Sequence, residues 1–163
     1  MPQNVLVSVL GDGKYLTALV RAILEKNIIP TKFLFLSAKN EASVQAAAGY
    51  DVTVCDDELA AVLKSEIVIV TASKREMPTE LAKISSSSQK RVVVSVCDNE
   101  KVDLAYLSER IVAATELMAA VLHRDEDGSL HASYEASKLA RPFLCKPARD
   151  IVDAMCDLVN AEA

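Results

Sequence analysis

Five short apolar runs, most of them rich in β-branched residues, recur along the chain and constrain its fold more than any other feature. Continuous apolar runs of this kind are typical of strands that are buried on both faces, as in a parallel sheet. A further run, RIVAA at 110–114, is a candidate for a sixth strand. The five runs are VLVSVL at 5–10, FLFL at 33–36, VTVC at 52–55, IVIV at 67–70 and VVVSV at 92–96.

The segments between these runs have helical character. Apolar side chains recur at helical spacing over 16–28, and the segment 41–48 is rich in alanine. The acidic pair at 57–58 suits the positive end of a third helix, Pro78 the first turn of a fourth, and Pro147 the first turn of a C-terminal helix. Strands that alternate with helices predict right-handed βαβ units. The expected fold is therefore Rossmann-like α/β, a doubly wound, mostly parallel sheet with helices on both faces.

The size and composition of the chain limit its function class. A length of 163 residues favours one domain over 1–163, and the net charge of −5 argues against a nucleic-acid partner. The first apolar run is too short for a signal peptide or a membrane span, so we expect a cytoplasmic protein with no membrane partner. Four scattered cysteines without a C-x-x-C pair predict buried thiols and no metal site.

The stretch GDGK follows the first predicted strand and precedes the first predicted helix. In such a unit Gly11 permits the sharp turn, and Gly13 lets a pyrophosphate approach the backbone N–H groups at the helix start. Asp12 brings a carboxylate close to that anion, which Lys14 could offset, and Leu16 stands where a small residue usually allows close helix packing. The stretch predicts a dinucleotide site, and the alternative is a glycine turn without a ligand.

The loop after the second predicted strand reads Ser37-Ala38-Lys39-Asn40. Sites that prefer NAD usually carry an acidic residue there, which binds the ribose 2′-hydroxyl. A hydroxyl and an ammonium group suit a 2′-phosphate instead, so the expected cofactor is NADP(H). The alternative for Lys39 is an exposed loop lysine without a ligand.

Much of the chain resembles a known family. In GDGKYLTALVRAILEKNIIPTKFLFLSAKN, the elements Ala18-Leu19-Val20-Arg21, Ile29-Pro30 and Ser37-Ala38-Lys39 are in register with the start of the pyrroline-5-carboxylate reductases. The resemblance continues through the third and fourth predicted strands and covers residues 5 to about 120. It implies the N-terminal NADP-binding domain of that family.

The resemblance also implies which residues contact the cofactor. Ser37 and Lys39 would hold the 2′-phosphate. The residues implied to line the pyrophosphate are Gly11, Gly13, Lys14 and Tyr15. The residues implied beside the ribose and the nicotinamide are Thr71, Ala72 and Ser73. No catalytic residue is implied with them.

The sequence departs from the family in three places. The family's Lys-Pro after the fourth strand is Ser73-Lys74 here, and its Met-Pro-Asn-Thr-Pro run is TELMA at 115–119. The family's C-terminal helical domain, which dimerises and supplies most of the substrate pocket, has no counterpart in this sequence. Two functions stay open. One is an NADP(H)-dependent oxidoreductase that completes its site as a homo-oligomer or in a small open pocket. The other is a non-catalytic relative that acts as a nucleotide sensor or a protein-interaction module.

A second motif, SYEASKLA, contains Tyr134 and Lys138 at the Y-x-x-x-K spacing of the short-chain dehydrogenases. On a helix that spacing puts a phenol and an ammonium group on one face, where the lysine favours proton transfer from the phenol. The rest of that family's pattern does not occur in the sequence. The alternative is a chance pair on a helix surface.

Overall fold

The computed structural model describes residues 3–98 and 101–163. Its strands are β1 (Val7–Gly11), β2 (Leu34–Ser37), β3 (Thr53–Cys55), β4 (Ile67–Thr71), β5 (Val92–Cys97), β6 (Glu116–Arg124) and β7 (Leu130–Ala136). Its helices are α1 (Leu16–Glu25), α2 (Glu41–Ala46), α3 (Glu58–Lys64), α4 (Met77–Ile84), α5 (Leu104–Arg110) and α6 (Pro142–Glu162). All five apolar runs form strands, with ends within two residues of those expected.

The strands form one sheet in the order β3-β2-β1-β4-β5-β6-β7. Neighbouring strands from β3 to β6 are parallel, and β7 is antiparallel to β6. The strand order reverses between β1 and β4, and sheets of this kind bind ligands in the crevice at the carboxyl ends of such a pair. The expected doubly wound, mostly parallel sheet is confirmed, and the glycine turn lies at its crevice.

Both faces of the sheet are covered by helices. Ile67 and Ile69 of β4 pack into a core that includes α1 and α6, whereas Val68 and Val70 pack into a core that includes α3, α4 and α5. Successive side chains of a strand point to opposite faces, so a strand covered on both sides needs an apolar residue at every position. This is the physical reason for the continuous apolar runs. The four cysteines are buried in the described part of the chain, as expected.

The prediction of a sixth strand at 110–114 is wrong. Arg110 is the last residue of α5, and the buried Ile111 donates its amide to the Leu107 carbonyl at the helix end. The sixth strand is β6, which begins at Glu116. Ile111 and Ala114 are therefore buried at the end of a helix, whereas Val112 is exposed. A buried carboxylate at the start of the true strand hid that strand from a search for apolar runs.

The C-terminal helix begins earlier than expected. Pro147 lies inside α6 and not in its first turn, because the helix starts at Pro142. The apolar stripe is as expected, with Ile151, Val152 and Met155 buried. No helix within residues 3–98 and 101–163 combines the length and the apolar character needed to cross a bilayer.

The structure also overturns the expected Tyr134–Lys138 helix. Tyr134 lies on β7 and Lys138 follows the end of that strand, so the two do not share a helical face. The Tyr134 hydroxyl donates a hydrogen bond to the Asp153 carboxylate over 2.5 Å. Burial and this carboxylate raise the pKa of Tyr134 well above its ordinary value. The phenol is therefore a structural hydrogen-bond donor between β7 and α6.

An ion pair joins the start of α6 to the start of β6. The Arg141 guanidinium donates to both carboxylate oxygens of Glu116, over 2.7 and 2.9 Å, and to the Lys90 carbonyl over 2.9 Å. Burial on its own raises the pKa of Glu116, but the hydrogen bonds from Arg141 outweigh it and lower the pKa below its ordinary value of 4.5.

We expect Arg141→Ala to lower the free energy of unfolding by about 1–2 kcal/mol near neutral pH, because the buried Glu116 then loses both guanidinium donors and keeps only the backbone amide of residue 141. Since the pKa of Glu116 is lowered in the folded state, this contribution is complete above the ordinary carboxyl pKa and is lost as the pH falls through the folded value. Urea unfolding at about pH 7 and about pH 3 measures both values. Arg124→Ala, which removes an exposed arginine of β6, is the control. An equal loss at the two pH values would contradict the assignment.

Candidate functional site

The turn after β1 is shaped by two glycines with left-handed backbone. Gly11 has φ +108° and Gly13 has φ +105°. A Cβ on Gly11 would lie 2.0 Å from the Thr71 carbonyl oxygen, and the Asp12 amide donates to that oxygen over 2.8 Å. The ends of β1 and β4 therefore approach too closely for a side chain at Gly11. A Cβ on Gly13 would have no neighbour nearer than 3.9 Å, so Gly13 leaves open space in front of the backbone.

The two residues that could obstruct this turn behave differently. The Leu16 side chain packs into the core beneath α1 and is 5% exposed. The Asp12 carboxylate turns back and accepts the Gly13 amide over 2.7 Å. Leu16 therefore leaves the turn accessible, whereas an anion that approaches Gly13 has to compete with Asp12 for that amide. The positive end of α1 faces the same space.

A first cleft, of about 290 Å³, opens on one side of the turn. Its lining residues are Gly13, Lys14, Tyr15, Thr71, Ala72, Ser73 and Asp98. Six of these were predicted, and they meet because Gly11 and Thr71 end adjacent parallel strands in register. Asp98 was missed, although it follows β5. The carboxyl ends of neighbouring parallel strands meet at one edge, and that rule could have found it.

Lys14 is held at the mouth of the first cleft. Its ammonium group lies 3.3 Å from the Asp98 carboxylate and 5.1 Å from the centre of the Tyr15 ring. The charge interaction with Tyr15, and then the hydrogen bond to Asp98, raise the pKa of Lys14. The expectation that Lys14 offsets the charge of Asp12 is thus wrong for this structure, because Asp98 is its ion-pair partner.

A second cleft, of about 350 Å³, opens on the other side of the turn. It is built from the glycine turn, the loop after β2 and the helices α3 and α4. Its lining residues are Gly11, Asp12, Leu16, Lys39, Asn40, Glu41, Ala42, Glu58, Glu80 and Lys83. Gly11 and Lys39 were predicted. The contributions of α3 and α4 were not, because neither helix carries a local motif that points to this cleft.

The loop after β2 is held by its own polar side chains. Ser37 is fully buried, and its hydroxyl oxygen accepts the Lys39 amide over 3.1 Å. Ser37 lines neither cleft. The Asn40 side-chain amide donates to the Gly11 carbonyl over 3.2 Å, while its buried Oδ1 has no hydrogen-bond partner among the described residues. Ser37 therefore stabilises the loop that carries Lys39 internally, and Asn40 ties that loop to the glycine turn.

The second cleft also contains a cluster of charges. The Lys83 ammonium lies 3.1 Å from Glu80 Oε1 and 3.8 Å from Glu58 Oε1. The hydrogen bond to Glu80 raises the pKa of Lys83. Burial, followed by the neighbouring Glu80 carboxylate, raises the pKa of Glu58. Sequence reasoning missed this cluster because α3 and α4 meet only in the folded chain.

A third cleft, of about 190 Å³, adjoins the first. The two share Lys14, Tyr15 and Asp98, and β6 adds His123 and Arg124. His123 is exposed and bonds through Nε2 to the Ser133 hydroxyl, 3.0 Å away. The region next to the first cleft thus carries side chains that can form hydrogen bonds with a ligand.

The fold is similar to those of several oxidoreductases. A pyrroline carboxylate reductase from Plasmodium falciparum with NADP bound has a TM-score of 0.73 and 15% identity, covering 95% of this chain and 56% of that one. A pyrroline-5-carboxylate reductase from Coxiella burnetii has a TM-score of 0.76 and 11% identity, covering 94% and 57%. A 3-hydroxyisobutyrate dehydrogenase from Mycobacterium tuberculosis has a TM-score of 0.67 and 11% identity, covering 94% and 52%. At these identities the likeness concerns the fold.

The chain spans a little over half the length of these solved structures. No match was found among curated proteins. The expected likeness to the N-terminal domain of the pyrroline-5-carboxylate reductases is confirmed in fold and in extent.

A protein family described as "NADP oxidoreductase coenzyme F420-dependent" matches residues 6–99. These residues include the strands β1 to β5, the glycine turn and most of the walls of the first two clefts. The match covers more than half of the chain, and it agrees with the expected NADP-binding domain of oxidoreductase type. The chain therefore belongs to the family of NADP oxidoreductases of the coenzyme F420-dependent type.

Proposed function

We propose that the chain binds NADP(H) across the glycine turn and serves as the cofactor-binding domain, residues 1–163, of an oxidoreductase. One observation carries the proposal. Two clefts flank a glycine turn at the point where the strand order reverses, and eight of the nine predicted contact residues lie on their walls. A dinucleotide has the matching form, since two nucleoside halves are joined by a pyrophosphate.

The residues of the two clefts fit the parts of NADP(H). Gly13 leaves room for the pyrophosphate at the start of α1, beside Lys14. Thr71 and Ser73 on the first cleft would flank the ribose of the nicotinamide half. The unpartnered Asn40 Oδ1 on the second cleft supplies an acceptor for a hydroxyl or amino group of the adenosine half.

We assign the 2′-phosphate to Lys39. The Lys39 side chain is exposed and lines the second cleft together with Gly11. Ser37 would act through Lys39, because its buried hydroxyl holds the Lys39 amide and does not reach the cleft surface.

When bound, the reduced nicotinamide supplies a hydride. The hydride acceptor then needs a proton and a site from which water is excluded. The third cleft adjoins the first and carries Tyr15, His123 and Arg124, so we propose it as the direction from which the acceptor enters. The proposal includes a homo-oligomer as the assembly that covers the third cleft.

Titration of the purified protein with NADPH, followed by cofactor fluorescence, tests the proposal. We expect saturable binding, and we expect Ser73→Trp to weaken it at least about tenfold, because the new side chain fills the first cleft. Ser86→Trp, an equal change at an exposed serine of the connector between α4 and β5, is the matched control. Absence of any NADPH signal at millimolar cofactor would remove the proposal.

A further inference from the structure

One cationic side chain of the second cleft, Lys83, is not among the cofactor contacts predicted from the sequence. Lys83 of α4 lies on its wall together with Lys39, and the two also line a neighbouring depression with Asp57, Glu58 and Leu59. Lys39 belongs to the loop after β2, whereas Lys83 belongs to α4. Lys83 therefore adds a second ammonium group to the second cleft.

Lys83 is held by carboxylates. Its ammonium group contacts Glu80 over 3.1 Å and Glu58 over 3.8 Å, and the charge of Asp12 also acts on it. Glu80 is only 7% exposed, and its Oε2 is buried without a hydrogen-bond partner among the described residues. A buried carboxylate oxygen without a donor is costly, so Glu80 is suited to accept a hydrogen bond from a ligand.

The charges on the walls of the second cleft do not balance. Two ammonium groups, Lys39 and Lys83, face four carboxylates. The carboxylates are Asp12, Glu41, Glu58 and Glu80. A phosphate monoester carries a charge of about −1.5 to −2 near neutral pH, so it enters this cleft favourably only if both ammonium groups turn towards it. A ribose with a free 2′-hydroxyl instead brings a hydroxyl group that can donate a hydrogen bond to a carboxylate.

We propose that Glu58, Glu80 and Lys83 together select the cofactor: Lys83 is the second ammonium group for the 2′-phosphate, and the two carboxylates that hold it limit the preference for NADP(H) over NAD(H). This inference rests on the proposed function. Binding of the 2′-phosphate transfers Lys83 from the carboxylates to the phosphate. The strength of the ion pairs in the cluster then sets the selectivity, beside the contribution of Lys39.

The cluster couples cofactor choice to pH. Burial and Glu80 raise the pKa of Glu58, so Glu58 takes up a proton at a higher pH than an exposed glutamate does. Protonation of Glu58 weakens its ion pair with Lys83 and removes a negative charge that repels the 2′-phosphate. Both changes favour NADPH as the pH falls. The groups that face Glu58 and Lys83 are Asp12, Asp57 and Glu80, with Lys39 and Glu41 on the adjoining wall.

Affinities for NADPH and NADH, measured side by side, test the inference. We expect Lys83→Gln to weaken NADPH binding about tenfold and to leave NADH binding unchanged. We expect Glu80→Gln to raise the ratio of NADPH to NADH affinity about tenfold, because a buried charge beside the phosphate disappears. The matched controls are Lys64→Gln at the exposed end of α3 and Glu109→Gln on α5, both outside the clefts. Circular dichroism melting verifies that each variant folds.

The outcomes separate this inference from the proposed function. If the unmodified protein binds neither cofactor, the proposed function fails. If it binds NADPH but Lys83→Gln weakens both cofactors equally, or leaves both unchanged, the selecting cluster is overturned while the cofactor site stands. Glu58→Gln replaces Glu80→Gln if the latter does not fold, with the same expected direction. As the pH falls from neutral, the NADPH preference of the unmodified protein should approach that of Glu58→Gln, whereas a constant gap would contradict the pH coupling.

Discussion

Gly11→Ala is expected to lower the free energy of unfolding by about 3 kcal/mol or more, with a fall in Tm of about 10 °C. Two costs add. The new Cβ would lie 2.0 Å from the Thr71 carbonyl oxygen, and Gly11 has φ +108°, which L-residues rarely adopt. The clash cannot relax through a side chain, because the obstructing atom is backbone of the central strand β4. Thermal and urea unfolding measure the change.

Gly49→Ala is the matched control for that substitution. Gly49 has φ +89°, but a Cβ there would meet no atom within 4 Å. Only the backbone strain remains, so we expect a loss of about 1 kcal/mol. The difference between the two variants therefore reports the close approach of β1 and β4. Similar losses at Gly11 and Gly49 would show that the contact with Thr71 carries no cost.

Lys39→Glu is expected to weaken NADPH binding about a hundredfold and to change NADH binding little. The substitution removes an ammonium group that we assign to the 2′-phosphate and adds a carboxylate to a cleft that already has four. Because NADH has no 2′-phosphate, it does not meet this repulsion. Affinities for the two cofactors, measured by fluorescence titration at low and moderate salt, give the comparison.

Two control variants complete that experiment. Lys39→Gln removes the charge without reversing it and should produce a smaller loss of NADPH affinity in the same direction. Lys32→Glu reverses an exposed lysine that pairs with Asp51, away from both clefts, and should leave both affinities unchanged. Equal losses of NADPH and NADH in Lys39→Glu would contradict the assignment of Lys39 to the 2′-phosphate.

The strands and helices of the N-terminal part were predictable because their sequence signals are local. A strand covered on both faces has to be apolar throughout, and a turn with positive φ favours glycine. The region after β5 was not predictable in this way, because its sequence signals are ambiguous. Ile111 and Ala114 are buried at a helix end, and β6 begins with the buried Glu116, whose carboxylate pairs with Arg141 just before α6.

The same difference separates the predicted members of the site from those that were missed. Gly13 lies two residues after the end of β1 and Thr71 is the last residue of β4, so the order of the strands brings them together. Lys83 lies within a helix, where an Asp/Glu–Lys pair ordinarily belongs to a solvated face. Its contact with Glu58 exists only because α3 and α4 pack side by side on the same face of the sheet.

The sequence by itself determined the layered α/β fold, the glycine turn at the end of the first strand and the kind of cofactor expected there. Apolar period and backbone freedom are properties of neighbouring residues, and they need no partner from elsewhere in the chain. Only the tertiary structure decided which charges share a cleft. Asp98 pairs with Lys14, and both Glu58 and Glu80 contact Lys83. These contacts form because strand order and helix packing bring distant segments within a few ångströms, where Coulomb interactions become strong.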